Sequence, residues 1–214
     1  MAARTSILIL GAGTQAKVVA DLILALGTYD IAGFLEIGKD ASRVGKNILG
    51  KPVLGAVGEV AAIAKKHNVT HAAVAIGDNR ERARLIELAR AAGLKLPPLV
   101  HPSAVICTGA QLGDGSVVAA HAMVGVEARL GEGAIINTSS SVDHDNVLGR
   151  CVHIAVGCHL AGTVTVGDYV TFGAGACAIP GVKVGNDVTV GAGAAVVSDL
   201  PNGCTALGVP AKPK

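Results

Sequence analysis

The second half of the chain follows a strict six-residue pattern of apolar positions. From Ile106 to Val196 every sixth residue is apolar, at all sixteen steps. Four residues after each step comes a second series, from Ala110 to Leu200, whose members are mostly small. This hexapeptide pattern predicts a parallel β-helix in which each hexad forms one flat side. Three sides close a coil of 18 residues, so sixteen hexads make a little over five coils, stacked about 4.8 Å apart.

Glycine follows the apolar residue at many of these steps, for example at Gly113, Gly125 and Gly131. Because glycine adopts backbone conformations that other residues avoid, we interpret these positions as the tight corners of the coil.

Residues 1 to about 100 show a different pattern, in which strand-like and helix-like segments alternate. Strands are predicted near 6–10, 31–35 and 72–76, and helices near 14–26, 57–67 and 79–92. Alternation of this kind predicts βαβ units around a parallel sheet. The proline-rich stretch LKLPPLVHPSA interrupts it. We therefore expect residues 1–100 to form a Rossmann-like half domain and residues 101–214 to form the β-helix with a C-terminal tail.

A glycine-rich motif joins the first strand to the first helix. In ILILGAGTQAKVVADLI, Gly11, Gly13 and Ala16 satisfy the dinucleotide fingerprint G-x-G-x-x-G/A. A dinucleotide needs two mononucleotide-binding halves, and about 100 residues suffice for only one. We therefore expect the loop to bind the phosphates of one nucleotide, on the backbone amides of Gly13, Thr14 and Gln15 at the helix N-terminus.

Three further residues are candidates for the same site. Lys17, in the first turn of the helix, is placed to assist with the phosphates, although a solvated helix lysine fits equally well. Glu36, after the second strand, is a candidate for the ribose or the base, with a plain surface acid as the alternative. Asp78 follows the third strand and faces the same end of the sheet.

Composition and charge exclude several classes of function. The net charge is +2 and no basic run is present, so nothing indicates nucleic-acid binding. We find no apolar stretch of the roughly 18 residues that a membrane span needs, and the short apolar run at the N-terminus is not expected to be a signal peptide. The five Cys include no C-x-x-C pair, which favours reduced thiols in a cytoplasmic protein over disulfides or a zinc site.

Four motifs, in order, resemble one bacterial enzyme family: GAGTQAKVVAD, INTSSSVDHDNVLG, HIAVGCHLAG and LGVPAK. The chain is similar to the nucleotide-aminosugar N-acetyltransferases and sialic acid O-acetyltransferases, which are hexapeptide-repeat acyltransferases. The resemblance implies acetyl-CoA as cosubstrate, no metal, and a homotrimer with active sites between subunits. It also implies a left-handed β-helix, whereas the general rule for parallel crossovers predicts the right hand.

His144 is the candidate general base. It lies two residues after the inward-facing Val142, so its side chain points out of the β-helix, between Asp143 and Asp145. Neighbouring carboxylates raise the basicity of an imidazole, which already accepts protons near neutral pH. Only one of the two acids can orient the ring, because neighbours on a strand face opposite ways. The resemblance implies that His144 is the base and Asp145 its partner; a solvated polar edge is the alternative.

The resemblance also implies a cofactor site. It places His153 and the amide of Gly162 at the thioester of acetyl-CoA, contributed by one subunit or its neighbour, and it turns Asn137 towards the cofactor. We expect His153 at a corner of the coil. The pantetheine is expected along small residues: Gly173, Ala174 and Ala192.

One departure from the family pattern bears on the substrate. Members that act on UDP-sugars carry His at the position of Gln15. We therefore favour a GDP-linked 4-amino sugar such as GDP-perosamine, acetylated on its amine by direct transfer. The alternatives are O-acetylation of a sialic acid and a non-catalytic β-helix scaffold. A dehydrogenase lacks its second half here, and gaps of 23, 9 and 6 between the His of the repeats do not match a zinc hydratase.

Overall fold

The computed structural model describes residues 4–38 and 42–214. The chain forms two compact units that divide between Leu99 and Val100. In the described residues no helix is long and apolar enough to cross a membrane.

The N-terminal unit is a parallel sheet with helices between its strands. Its elements are β1 (Thr5–Leu10), α1 (Thr14–Leu26), β2 (Tyr29–Glu36), β3 (Asn47–Ile48), β4 (Lys51–Ala56), a 3-10 turn (Val57–Glu59), α2 (Val60–Lys66), β5 (His71–Val74) and α3 (Asn79–Ala91). The strand order is β3-β4-β2-β1-β5, and only β3 runs antiparallel to its neighbour. The predicted strands and helices are confirmed, while the hairpin β3–β4 was not predicted from the sequence.

The core of this unit follows from its apolar pattern. Residues 7–10 of β1 are completely buried, as expected for a central parallel strand covered on both faces. Helix α1 buries one stripe of its surface: Ala16, Val19, Ala20, Leu22 and Ile23. Because β1, β2 and β5 run parallel, their carboxyl ends meet at one edge of the sheet, where the glycine-rich loop begins.

The C-terminal unit is a left-handed parallel β-helix built from two-residue strands. They are β6 (Leu99–Val100), β7 (Val105–Ile106), β8 (Gln111–Leu112), β9 (Val117–Val118), β10 (Met123–Val124), β11 (Arg129–Leu130), β12 (Ile135–Ile136), β13 (Ser141–Val142), β14 (Val147–Leu148), β15 (His153–Ile154), β16 (His159–Leu160), β17 (Thr165–Val166), β18 (Thr171–Phe172), β19 (Cys177–Ala178), β20 (Lys183–Val184), β21 (Thr189–Val190) and β22 (Ala195–Val196). The tail adds β23 (Thr205–Leu207), parallel to β21, and β24 (Lys212–Pro213), antiparallel to β23.

The six-residue prediction is confirmed at every step. Each of the sixteen predicted apolar residues ends one of the strands β7 to β22, and all are buried except Ile106 and Leu112 in the first coil. Strands three apart pair in register, so that residues 18 apart stack on one another, as Met123 does on Ser141. The three resulting sheets enclose a single apolar core.

The explanation of the corner glycines was wrong. Gly113 and Gly125 do not adopt positive φ angles; a Cβ on either would lie 2.5 Å from the backbone of the next coil. The positive φ occurs two residues further on, and non-glycine residues such as Glu127 and Asp145 adopt it, both with φ of 57°. These glycines are therefore needed for the close stacking of coils, and not for the turn itself.

Three edges run along the β-helix where its strands turn, and they differ in chemistry. The His144 edge holds His144 and Gly162, the residues that follow β13 and β16 by two positions. The Asn137 edge holds Asn137 and the other residues that follow the sheet of β12 and β15. The third edge is polar: Arg150 Nε donates to Glu132 at 2.8 Å, and the Arg150 backbone N–H donates to Asp168 at 2.7 Å.

Candidate active site

The N-terminal unit has a cavity of about 370 Å³ at the carboxyl ends of β1, β2 and β5. Its lining combines the glycine-rich loop with the residues that follow β2 and β5: Gly11, Ala12, Gly13, Thr14, Gln15, Glu36, Ile37, Arg43, Ala75, Ile76 and Gly77. Ligands of open α/β sheets bind at this edge of the fold. Of the residues predicted for the nucleotide, Gly11, Gly13, Thr14, Gln15 and Glu36 are brought together here.

The geometry of the loop explains its glycines. Gly11 has a φ of 132°, and a Cβ there would lie 2.5 Å from the carbonyl oxygen of Ala75. Its backbone N–H donates to Leu35 O at 2.9 Å, which fixes the loop to β2. Gly13 is the N-cap of α1 and leaves open space where a side chain would be, so the first amides of the helix face the cavity.

Arg43 closes one side of this cavity and was not predicted from the sequence. Its backbone N–H donates to the Glu36 carboxylate at 2.7 Å, and its guanidinium donates to the carbonyl of Ala12 in the glycine-rich loop. The side chain is half exposed, whereas that of Glu36 is 14% exposed. Arg43 therefore brings a positive charge to the glycine-rich loop.

A second cavity of about 320 Å³ shares part of this lining. Among the lining residues that the structure describes, three are cations, namely Lys17, Arg43 and Lys46, and none is acidic. Lys17 thus lies at the second cavity and is absent from the lining of the first. The charge of this cavity suits an anionic group.

Asp78 and Arg82 support the wall of the first cavity. Asp78 accepts the backbone N–H of Glu81 at 2.7 Å, which caps α3, and it does not line either cavity. The buried guanidinium of Arg82 donates to the carbonyls of Ile76 at 3.1 Å and Gly77 at 3.0 Å. No sequence motif indicated Arg82, because an arginine on a helix is usually a surface residue.

In the β-helix, His144 and Asp145 form a hydrogen-bonded pair on the His144 edge. His144 Nδ1 lies 2.8 Å from Asp145 Oδ2, and both side chains are more than half exposed. Asp143 instead accepts the backbone N–H of His144 at 2.7 Å. The structure thus assigns the orientation of the ring to Asp145. Since an ionised carboxylate only accepts hydrogen bonds, Nδ1 carries the proton and Nε2 presents a lone pair.

The two acids also set the basicity of His144. The hydrogen bond that His144 donates to Asp145 is the main cause that raises the pKa of His144 above its usual value of 6.5. The negative charges of Asp143 and Asp145 act in the same direction. A raised pKa makes the imidazole a better proton acceptor once it is neutral.

Gly162 lies directly under the His144 ring, one coil further along the same edge. A Cβ on Gly162 would overlap Nε2 and Cε1 of His144 and would lie 3.0 Å from Cδ2. Only glycine therefore lets the imidazole stand in its observed position. His144, predicted as the base, and Gly162, predicted at the cofactor, are therefore in contact, which the sequence analysis did not predict.

Asn137 and His153 form a second pair, on the sheet of β12 and β15. Asn137 Nδ2 lies 3.3 Å from His153 Nε2, and both residues are partly buried. His153 belongs to strand β15, so the expectation that it sits at a corner was wrong. His153 is the last residue of its hexad, as predicted. That position is not the corner, however, because it is the outward residue of a two-residue strand and directly precedes the inward residue, Ile154.

The small residues expected along the pantetheine lie on the Asn137 edge. Ala174 and Ala192 are exposed and stack 18 residues apart, above the exposed Val156. A Cβ on Gly173 would lie 2.6 Å from the backbone nitrogen of Ala192, so the close stacking of these two coils requires glycine at this position. An open, apolar strip of small side chains fits an extended pantetheine chain, which is narrow and uncharged.

Two protein-family models match the chain, one in each of its two units. Residues 6–89 match the family model described as the PglD N-terminal domain, and residues 163–198 match the hexapeptide repeat of succinyl-transferase. None of the curated protein sequences is significantly similar.

Several solved structures are similar over almost the whole chain, and they include the following three proteins. The GDP-perosamine N-acetyltransferase of Caulobacter crescentus, solved as a mutant with CoA and GDP-perosamine, is 40% identical with a TM-score of 0.92, covering 99% of this chain and 98% of its own. The acetyltransferase domain of PglB from Neisseria gonorrhoeae, solved with acetyl coenzyme A, is 40% identical with a TM-score of 0.90, covering 99% and 100%. WeeI from Acinetobacter baumannii is 26% identical with a TM-score of 0.85, covering 98% and 100%.

Identity of 40% over nearly every residue of both chains, together with two family models in the expected order, shows the relationship. The chain belongs to the family of acetyl-CoA-dependent hexapeptide-repeat acetyltransferases that includes the perosamine N-acetyltransferase of Caulobacter crescentus.

Proposed function

We propose that the protein transfers the acetyl group of acetyl-CoA to the 4-amino group of a GDP-linked amino sugar, with His144 as general base. The observation that carries this proposal is the His144–Asp145 pair, held at 2.8 Å on an exposed edge of the β-helix with Nε2 free to accept a proton. The similarity to an enzyme that was solved with CoA and GDP-perosamine supports the substrates.

The chemistry needs a base and no covalent enzyme intermediate. The sugar ammonium loses a proton to His144 Nε2, and the resulting amine attacks the thioester carbonyl of acetyl-CoA. The C–N bond forms first, and collapse of the tetrahedral intermediate breaks the C–S bond. The attacking nitrogen gives its second proton to the leaving CoA thiolate, and the His144 imidazolium returns its proton to solvent. Asp145 holds the Nδ1 proton of His144 in place and stabilises the imidazolium that forms.

Acetyl-CoA is proposed to lie along the Asn137 edge. Its pantetheine follows Gly173, Ala174 and Ala192, while His153, oriented by Asn137, and the amide of Gly162 face the thioester. Donors at this carbonyl stabilise the negative charge that develops on its oxygen. The contacts that support this arrangement are the 3.3 Å pair of Asn137 with His153 and the small, exposed strip beside it.

The nucleotide is proposed to bind the N-terminal unit. Glu36, at the first cavity, accepts hydrogen bonds from the base or the ribose, and Gln15 supplies a neutral amide. The phosphates lie on the amides of Gly13 and Thr14, beside the cations of the second cavity. Asp78 then contributes through the cap of α3 and not by direct contact.

A homotrimer with active sites between subunits is supported by the chemistry of the edges. The His144 edge leaves three apolar side chains exposed by 44% or more, namely Val126, Ile179 and Val197. The Asn137 edge exposes Val156, whereas the third edge satisfies its own polar groups. Apolar surface of this kind favours burial against another chain. We propose that the His144 edge of one subunit faces the Asn137 edge of the next.

An acceptor panel tests the proposed function. Acetyl-CoA turnover is measured with GDP- and UDP-linked 4-amino sugars and with CMP-sialic acid, and the GDP-linked amine is expected to give the highest kcat/KM. Preference for the sialic acid would support the O-acetyltransferase alternative, and no turnover with any acceptor would support the scaffold alternative.

The five Cys are free thiols in the structure, which fits the cytoplasmic location that we propose.

The pH profile gives a sharper test of the base. As a base, His144 acts only when neutral, so activity falls as the pH drops through its pKa. Because Asp145 raises that pKa, Asp145→Asn is expected to move the acidic limb of the kcat profile to lower pH and to reduce the plateau by about tenfold, as a weaker base would. A profile that stays in place, measured under saturation, would contradict the role of Asp145.

A further inference from the structure

We propose that Asn146 is a positioning residue for the acetyl transfer, because its side chain ties the corner of His144 to the corner of Gly162. Its amide Nδ2 donates to Asp143 O at 2.8 Å and to Ala161 O at 3.0 Å. These carbonyls belong to the residues that directly precede His144 and Gly162. The inference rests on the proposed function of His144.

The place of Asn146 in the fold is unusual. It belongs to the inward series of the repeats, whose members are mostly Ala, Val and Ser, and it is fully buried. Its Oδ1 atom is buried without a hydrogen-bond partner. A buried acceptor without a partner destabilises the folded state, so nothing in the core itself calls for an amide here. What the amide supplies in return is the link between two coils at the candidate base.

The same corner one coil earlier shows how the β-helix turns without this link. There the carbonyl of Gly125 accepts the backbone N–H of Ala128 at 3.2 Å, a bond within one coil. The Asn146 side chain reaches two coils at once. A backbone bond from Thr163 N–H to His144 O at 2.9 Å lies beside it. Together these bonds set the height of the imidazole above Gly162.

Ser140 makes a related contact at the other functional corner. It occupies the equivalent inward place of the preceding hexad, and its hydroxyl donates to the carbonyl of Asn137 at 2.5 Å. Ser116, also inward and buried, has no hydrogen-bond partner for its hydroxyl. Ser116 therefore provides a matched control: a buried polar residue of the same series outside the proposed site.

The test compares Asn146→Ala with Ser116→Ala. Alanine occupies the inward place in several other coils, so both variants are expected to fold. Asn146→Ala is expected to lower kcat about tenfold with little change in the KM for acetyl-CoA, since misplacing a catalytic group by a fraction of an ångström slows the chemical step. Ser116→Ala is expected to retain wild-type kcat. Wild-type kcat in Asn146→Ala would overturn the inference.

A double-mutant comparison separates positioning from packing. In a His144→Ala background, Asn146→Ala is expected to cause no further loss, because the group that it positions is gone. An equal loss in both backgrounds would show a purely structural role and overturn the inference. Should Asn146→Ala fail to fold, Asn146→Ser keeps one donor and is compared in the same two backgrounds.

An NMR titration of the His144 ring makes the result independent of the proposed activity. In Asn146→Ala the pKa of His144 is expected to fall, because a looser corner weakens its bond to Asp145. An unchanged pKa would overturn the inference. If the wild-type protein acetylates no nucleotide sugar, the proposed function fails, and the titration alone decides whether Asn146 positions the ring.

Discussion

His144→Ala is expected to lower kcat by about 100-fold or more, the scale of a general base in catalysis. The side chain is more than half exposed and makes its side-chain hydrogen bond with Asp145, so its removal leaves the buried core unchanged. The thermal unfolding temperature should therefore stay within a few degrees of wild type. The KM values for both substrates should change little, because the lost interaction belongs to the transition state.

His159 supplies the control for this variant. It is an exposed histidine one coil away, hydrogen-bonded through Nδ1 to the Ser141 hydroxyl at 2.9 Å. His159→Ala removes a ring of the same size from a neighbouring strand and is expected to keep kcat within about twofold of wild type. Steady-state assays at saturating acetyl-CoA measure both variants. Equal activity in His144→Ala and wild type would remove His144 from the mechanism.

Gly162→Ala is expected to lower kcat by about 100-fold without unfolding the protein, a loss typical of a displaced catalytic group. The added Cβ would overlap Nε2 and Cε1 of His144. Because the ring is an exposed side chain, it yields by rotating away from the Cβ, and the coil itself keeps its place. Rotation breaks the alignment of Nε2 with the amine and the bond of Nδ1 to Asp145. Circular dichroism and thermal melting should be close to wild type.

The reason for the loss is tested in the His144→Ala background. There the added methyl group meets no imidazole, so Gly162→Ala is expected to leave the residual rate unchanged. A further loss of similar size would mean that Gly162 acts through its own contact with acetyl-CoA. In that case the overlap with His144 would not explain the effect.

The β-helix was predictable because its rule is local and repeated. The residue at every sixth position from Ile106 to Val196 is apolar and fills a narrow core, and sixteen consistent steps leave no other period. The outward direction of His144 followed from the same count. The reason why residue 113 is a glycine could not be predicted in this way, because it depends on how closely the backbone of the next coil approaches. A six-residue pattern contains no information on that distance.

The N-terminal cavity was predictable only in part. Gly11 carries a backbone requirement that leaves a motif in the sequence. Arg43 instead reaches the loop through a long side chain from the turn that precedes β3, a segment without a clear pattern. Arg82 resembles a surface arginine until the fold buries it against the carbonyls of Ile76 and Gly77. Contacts between residues distant in sequence, made by flexible side chains, are what the sequence pattern does not specify.

Acetyl transfer is tested most directly by isotope labelling, in which the acetyl group of acetyl-CoA is located in the products. The protein is incubated with a GDP-linked 4-amino sugar and acetyl-CoA carrying ¹³C at the carbonyl, and the products are examined by NMR. The label is expected in an amide carbonyl on the 4-amino nitrogen of the sugar, with one CoA thiol released per amide formed. Label found in an ester, or in free acetate with the amine unchanged, would contradict N-acetylation by this protein.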